Sequence, residues 1–459
     1  MSDARFDLIV VGAGPGGYVA AIRAAQLGLS VAVVERDQVG GRCLNYACIP
    51  AKAVLRSADV LAEVQQAAGF GVVADGAAGA TIDFPTVAKR RDRVVRTLTG
   101  GVKGLMTKNN ITVLAGTASL AKTVAGTEPV VTVTGPEGKV DFTAGNVVLA
   151  TGSNANPIMG VPFGGPVLDT AATWLLGERP SSLAVIGAGA SGVEVASAFG
   201  RFGTAVTLIE ALPQILPAED SEISELAAKE LAKQNIEIIT SAQLTAITPA
   251  QASVTLTIAG EQRVFDAVCI AAGRAPDIAA LELASSGVTL DANGQIAVND
   301  HLRTANPNIF AIGDLVRGPA LAHKASEEGI VAAEAAAGHP EPETVDHRFI
   351  PRATFCSPQV ASIGLTEAQA VATGAQIAVG RFPLAAAGAA TVYGDRTGMV
   401  KLIGDTTTGE LLGAHIVGAK AADLIAELAV ARAAQVGYAD LARIVHPHPT
   451  LSEALLEAA

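Results

Sequence analysis

Cysteine, aromatic side chains and charge are all scarce in this chain. Only 4 of its 459 residues are cysteine, too few to staple so long a chain as a disulfide scaffold. Aromatic residues make up 4% and charged residues 17%, whereas half the chain is apolar and 48 residues are glycine. That balance excludes disorder and fibrous folds, and it suits a buried parallel sheet covered by close-packed helices. No apolar run reaches the ~20 uncharged residues of a membrane span. The nearest stretch, 411–432, is interrupted by Lys420, Asp423 and Glu427. Asp3 and Asp7 stand where an export signal needs a basic start, so a soluble, cytoplasmic protein is expected. Positive charge is short as well. Lys plus Arg total 32 against 44 Asp plus Glu, and the net charge of −12 leaves no electrostatic footprint for nucleic acid or anionic lipid. The expected partners are small molecules or other proteins. At roughly 150 residues per domain, the length suggests about three domains.

What is present is a repeat. Residues 8–35 laid on 183–210 at an offset of 175 give ten identities, among them Gly12/Gly187, Gly14/Gly189, Gly17/Gly192 and Glu35/Glu210. Each copy runs from an apolar strand into GxGxxG, an Ala-rich helix and a second strand ending in Glu, the order of a dinucleotide-binding βαβ unit. Gly12 and Gly187 permit the tight turn, Gly14 and Gly189 admit a pyrophosphate to the backbone, and Gly17 and Gly192 let helix and strand pack closely. Amides at the helix start then face phosphate, and Glu35 and Glu210 are placed to accept from ribose hydroxyls. Two dinucleotides are implied.

Between and beyond these units, the patterning predicts helices near 51–63, 86–107, 220–234 and 323–337. Strands are predicted through 110–150, near 309–314 and at 358–364, 375–382, 398–403 and 410–417. Breakers at Pro157, Pro162 and 273–276 divide the segments. The last ~110 residues read as a separate α+β domain.

Cys43 and Cys48 follow Glu35 closely, in a segment that reads as helical or nearly so. A straight helix would hold their Cα atoms roughly 8.7 Å apart, while a disulfide needs less than ~7 Å. The pair bridges only if the backbone distorts, and a strained, accessible bridge is easily reduced. The bland alternatives are two buried thiols or half of a metal site. Zinc would want a second close pair, but Cys269 and Cys356 are isolated and read as small core residues, so no metal is expected.

Together these features resemble the flavin-dependent pyridine nucleotide-disulfide oxidoreductases along nearly the whole chain. The likeness takes in both GxGxxG units, Cys43 through Lys52, Ala150-Thr151-Gly152, Glu194, Gly313-Asp314 and the stretch from His448 to Glu453. The resemblance implies an α/β fold with two Rossmann-like domains and a C-terminal α+β dimerisation domain. It divides the chain into an FAD-binding part at 1–152, an NAD-binding domain at 153–273, a central domain at 274–344 completing the FAD site, and an interface domain at 345–459. The implied activity is oxidation of protein-bound dihydrolipoyl groups with reduction of NAD through FAD. The implied partners are a second copy of the chain and the lipoyl-bearing and core subunits of 2-oxo acid dehydrogenase or glycine cleavage complexes.

Residue by residue, the family pattern makes Cys43 the thiol that exchanges with substrate and Cys48 the one against the flavin. Lys52 and Glu194 match an ion pair near the flavin edge, though by themselves they read as a helix lysine and a helix-dipole partner. Asp314 matches the carboxylate that holds the ribityl chain, where a turn residue would otherwise be read. Thr151, Gly152 and Ala322 fall at further FAD-binding positions and Gly273 at one for NAD. His448 matches a base supplied by the partner subunit, and its pre-proline position suits a projecting loop. Glu453 matches the carboxylate orienting that imidazole, yet 450–453 also spells a capping box. His446 reads as a bystander. Arg42, Tyr46 and Ala47 depart from the small residues usual around the cysteines, and a nearby guanidinium would favour a thiolate. Other disulfide reductases use NADPH and carry arginines after the second strand, where this chain has Glu210-Ala211-Leu212-Pro213. A flavin-bound redox sensor without turnover is the alternative of a different class.

Overall fold

The computed structural model describes residues 5–121, 127–340 and 344–459. They form two compact units: the described residues of 1–50, 90–156 and 274–347, and those of 51–89, 157–273 and 348–459.

In the first unit, Arg5–Val11 lies between Val31–Glu35 and Gly138–Leu149, parallel to both, with Leu8 opposite Val31 and Asn146. Thr112–Ala115 extends one edge and Ile309–Ala311 pairs with Gly138–Leu149, also in parallel. Strands buried on both faces require unbroken apolar runs, and Leu8, Ile9, Val10, Val147, Val148, Leu149 and Phe310 are fully buried. Gly138–Leu149 is long enough to serve twice: its first half pairs antiparallel with Val130–Gly135, which continues to Thr117–Leu120. Helix Pro15–Gln26 packs on helix Ala322–Ala336. Gly16 and Gly329 permit the close crossing, since a Cβ at Gly329 would stand 2.5 Å from the Gly16 carbonyl oxygen.

The second unit repeats the arrangement. Ser182–Ile186 lies between Ala205–Ile209 and Ala267–Ile270, all parallel, with Ile236–Ile239 and Val167–Asp169 at the edges. An antiparallel meander, Leu244–Pro249, Val254–Ile258 and Glu261–Phe265, follows. The same unit holds the C-terminal five-stranded sheet, ordered Arg352–Thr354, Gln359–Gly364, Leu411–Gly418, Gly398–Asp405 and Ile377–Pro383, antiparallel throughout. Helix Ala421–Ala433 covers it with Leu424, Ile425 and Leu428 buried. Among the described residues, no helix is long and apolar enough to cross a membrane.

Candidate active site

The two glycine loops are built alike. Gly12 and Gly187 take φ of +104° and +97°, a region that L side chains rarely adopt. A Cβ at Gly17 or Gly192 would collide with the carbonyl oxygen of Gly12 or Gly187, so helix and strand meet only because both are glycine. Gly14 and Gly189 differ: a Cβ there would meet nothing within 4 Å. Each caps a 12-residue helix, Pro15–Gln26 or Ala190–Arg201, and the space before it is open to a phosphate group. The carboxylates are shared with the loops. Glu35 accepts from the Ala13 N–H at 2.8 Å and from the Asp37 N–H at 2.8 Å. Glu210 accepts from the Ala188 N–H at 2.7 Å and from the Leu212 N–H at 2.9 Å. A carboxylate has about four lone-pair positions, so capacity for ribose hydroxyls remains.

The segment holding the cysteines is not one helix. A short helix, Gly41–Asn45, stops at Tyr46, and a second, Cys48–Gln66, begins at the other cysteine. The Tyr46 and Ala47 N–H groups both donate to the Arg42 carbonyl, at 2.8 and 2.9 Å, closing off the first helix. Straight-helix geometry therefore does not apply to the pair, and the backbone is bent where a bridge would need it. The Asn45 side chain donates to the Val39 and Gly41 carbonyls, and the Tyr46 hydroxyl donates to Asp37 at 2.7 Å. Burial and the Asp37 carboxylate push the Tyr46 phenol up to about 12. Both Cys43 and Cys48 are half-buried. Tyr18, immediately after the third glycine, carries a phenol raised by burial and then by the charges of Cys43 and Cys48. It belongs to the surroundings of the cysteines, and sequence reasoning passed over it.

Cys269 and Cys356 are core residues whose burial raises each thiol to about 12, which keeps them protonated. Lys52, one turn after Cys48 in the same helix, donates to both oxygens of Glu194 at 2.8 and 2.9 Å. Glu194 is buried and also accepts from the Phe355 N–H at 2.9 Å, and the Lys52 ammonium stands 4.7 Å from the Phe355 ring centroid. An ion pair that needs residues 142 apart in sequence thus forms within the second unit.

In the first unit, Asp314 occupies a 3-10 turn after strand Ile309–Ala311, half-buried, and accepts from the Ser153 hydroxyl. Ser153 in turn accepts from Arg274 at 2.8 Å. The Thr151 hydroxyl donates to the Asp277 carbonyl at 2.7 Å, and the Asp277 carboxylate pairs with Arg36, next to Glu35. Gly152 accepts from the Asp277 N–H, and Ala322 opens helix Ala322–Ala336. Gly273 lies at the end of the second unit's central segment with φ +104°.

His448 is exposed, with 78% of its side chain accessible. Its Nδ1 lies 2.8 Å from Glu453 Oε1, while Glu453 Oε2 accepts from the Thr450 N–H at 2.8 Å. The capping box does not form, because the Thr450 hydroxyl donates to Pro447 and helix Glu453–Glu457 has no side-chain cap at Ser452. The Thr450 amide and then His448 hold the Glu453 carboxyl below its usual range. His446 is engaged elsewhere, with Nε2 at 2.6 Å from Glu427. Burial lowers its basicity, but Glu427 and the Ile444 carbonyl outweigh that and raise it.

Known proteins share this organisation from end to end. Residues 6–329 match the pyridine nucleotide-disulphide oxidoreductase family, and residues 350–459 match that family's dimerisation domain. The dihydrolipoyl dehydrogenase of Geobacillus stearothermophilus is 41% identical over 457 residues, covering 99% of this chain and 95% of that protein. The Mycobacterium bovis dihydrolipoyl dehydrogenase is 40% identical over 458 residues, covering 99% and 97%. Among solved structures, the HOCl-induced flavoprotein disulfide reductase RclA from Escherichia coli is 28% identical with a TM-score of 0.86, covering 98% of this chain and 99% of that one. LpdA from Mycobacterium tuberculosis shares the fold at a TM-score of 0.91 and 24% identity, covering 99% and 98%. With two repeated nucleotide loops, a bent two-cysteine segment and a matching C-terminal domain, the chain belongs to the pyridine nucleotide-disulphide oxidoreductases.

Proposed function

We propose that the chain is a dihydrolipoyl dehydrogenase, oxidising protein-bound dihydrolipoamide to lipoamide with reduction of NAD. The observation that carries this reading is the break at Tyr46–Ala47, which puts Cys48 at the head of one helix and Cys43 in another, directly after the first dinucleotide unit. A helix N-terminus favours negative charge, the form in which Cys48 must leave when its bond to Cys43 is broken.

In this reading a substrate thiol gives its proton to His448 and attacks Cys43 Sγ, and Cys48 departs as a thiolate. The second substrate thiol displaces Cys43 and closes the lipoyl disulfide, leaving two electrons on the cysteine pair. FAD and NAD, when bound, supply the route by which the pair is reoxidised. The open cradles before Gly14 and Gly189 fit the two pyrophosphates, with Gly12, Gly17 and Glu35 around one and Gly187, Gly192, Glu210 and Gly273 around the other. The family pattern assigns Thr151, Gly152, Ala322, Lys52 and Asp314 to the rest of the FAD site. Glu194 orients Lys52, and Glu453 fixes the His448 tautomer, keeping Nε2 for proton exchange. The dimerisation domain supports a homodimer, and the family resemblance assigns each His448 to the cysteine pair of the other subunit. Lipoyl-bearing and core subunits of 2-oxo acid dehydrogenase or glycine cleavage complexes are the assigned partners.

Steady-state reduction of NAD by free dihydrolipoamide tests the assignment. Purified protein carrying FAD should turn over, and C43S and C48S should not. Failure of the FAD-loaded wild type to reduce NAD would leave a redox sensor or another disulfide reductase as the function.

A further inference from the structure

Helix Ala322–Ala336 buries two opposite charges completely. Lys324 and Glu328 are both 0% exposed and lie 3.1 Å apart. Removing two ions from water is costly, and their mutual attraction compensates only where the remaining polar positions are filled. Here they are filled by Gly313 and His347. Lys324 Nζ donates to the Gly313 carbonyl at 2.8 Å, and Glu328 Oε2 accepts from the Gly313 N–H at 2.7 Å. The other Glu328 oxygen meets His347 Nε2 at 2.8 Å. Gly313 sits at φ +70°, and Asp314 is the next residue along the chain. A buried charge pair is thus directed at both polar groups of the residue that aims Asp314.

We infer that Lys324 and Glu328 are positioning residues: by clamping Gly313 they fix the direction of the Asp314 carboxylate and so the grip on the flavin's ribityl chain. This rests on the reading of Asp314 as the ribityl acceptor. The Asp314 carboxylate accepts from Ser153, which itself accepts from Arg274, so the carboxylate has a second anchor while its backbone depends on the buried pair. In this reading Lys324 and Glu328 act on the flavin through the 313–314 turn.

The test is the rate at which FAD leaves the holoprotein, followed by the rise in flavin fluorescence. The variant K324M/E328Q removes both charges, keeps an acceptor for the Gly313 N–H and loses the donor to its carbonyl. It should release FAD about tenfold faster, the scale of one charge-assisted hydrogen bond. In a D314N background the same pair of changes should add nothing, because the residue through which they act is already altered. A pair that merely stabilises the fold would instead add its effect to that of D314N, and this additivity, or an unchanged release rate, overturns the inference. H347A gives a second arm should K324M/E328Q not fold. It takes the His347 contact from Glu328 Oε1, which keeps Lys324, and should accelerate release by a smaller factor only when Asp314 is intact; acceleration independent of Asp314 overturns the inference. If D314N alone releases FAD at the wild-type rate, the ribityl reading of Asp314 fails, and the inference falls with it.

Discussion

Glu453 divides its two oxygens between His448 Nδ1 and the Thr450 N–H, each at 2.8 Å. One carboxylate therefore sets both the ring orientation of the histidine and the backbone of the loop that carries it. His448→Ala is expected to keep the fold and lose roughly 10²–10⁴ of turnover, the usual worth of a positioned acid–base group. Glu453→Gln keeps the loop contact and should lose less. Because the folded-state value of Glu453 lies below its ordinary 4.5, its contribution is complete above that pH and is lost only as the pH falls through the lowered value. The Glu453 carboxyl followed directly by NMR should consequently titrate with a midpoint below 4.5, and a midpoint above 4.5 would contradict that account of the contact.

The role proposed for Glu210 can be separated from the contact it makes. As proposed, its carboxylate accepts from the 2′-hydroxyl of NAD and would repel the 2′-phosphate of NADP. It also holds the buried Ala188 N–H. E210A/A211R should shift the ratio of kcat/KM values toward NADP but lower the unfolding midpoint, since an orphaned buried N–H costs about 1–3 kcal/mol. E210Q retains an acceptor for Ala188 and should keep most of the stability. Equal use of both nucleotides by the wild type would contradict the ribose role.

The proposed sharing of the active site between subunits makes a prediction that single variants cannot. Mixing a C48S parent with an H448A parent and allowing subunits to exchange gives heterodimers with one site carrying both lesions and one carrying neither. Activity should reappear, approaching half the wild-type rate per heterodimer. If each His448 serves its own chain, every site keeps a lesion and no activity returns.

The repeat was legible in the sequence because its determinants are local: glycines at fixed spacing, an apolar strand on either side and a terminal Glu. The bend between the cysteines was not. It depends on Asn45 reaching back to Val39 and Gly41 and on Tyr46 reaching Asp37, contacts that spacing does not encode. Glu453 looked like a choice between a capping box and a histidine partner. The structure joins half of the box to the histidine contact, because a carboxylate has two oxygens. Lys324 and Glu328 stand four apart in a predicted helix, and their spacing does not mark them as buried. Only the packing of their helix in the first unit reveals that both are buried and that both face Gly313.

Anaerobic titration of the FAD-loaded protein with dihydrolipoamide tests the central assignment most directly, because it reports on Cys48 and the flavin together. After two electrons per subunit, a long-wavelength thiolate-to-flavin absorbance should appear in the wild type and not in C48S. Bleaching of the flavin without that band, or no response with FAD in place, would contradict electron transfer through the Cys43 and Cys48 pair.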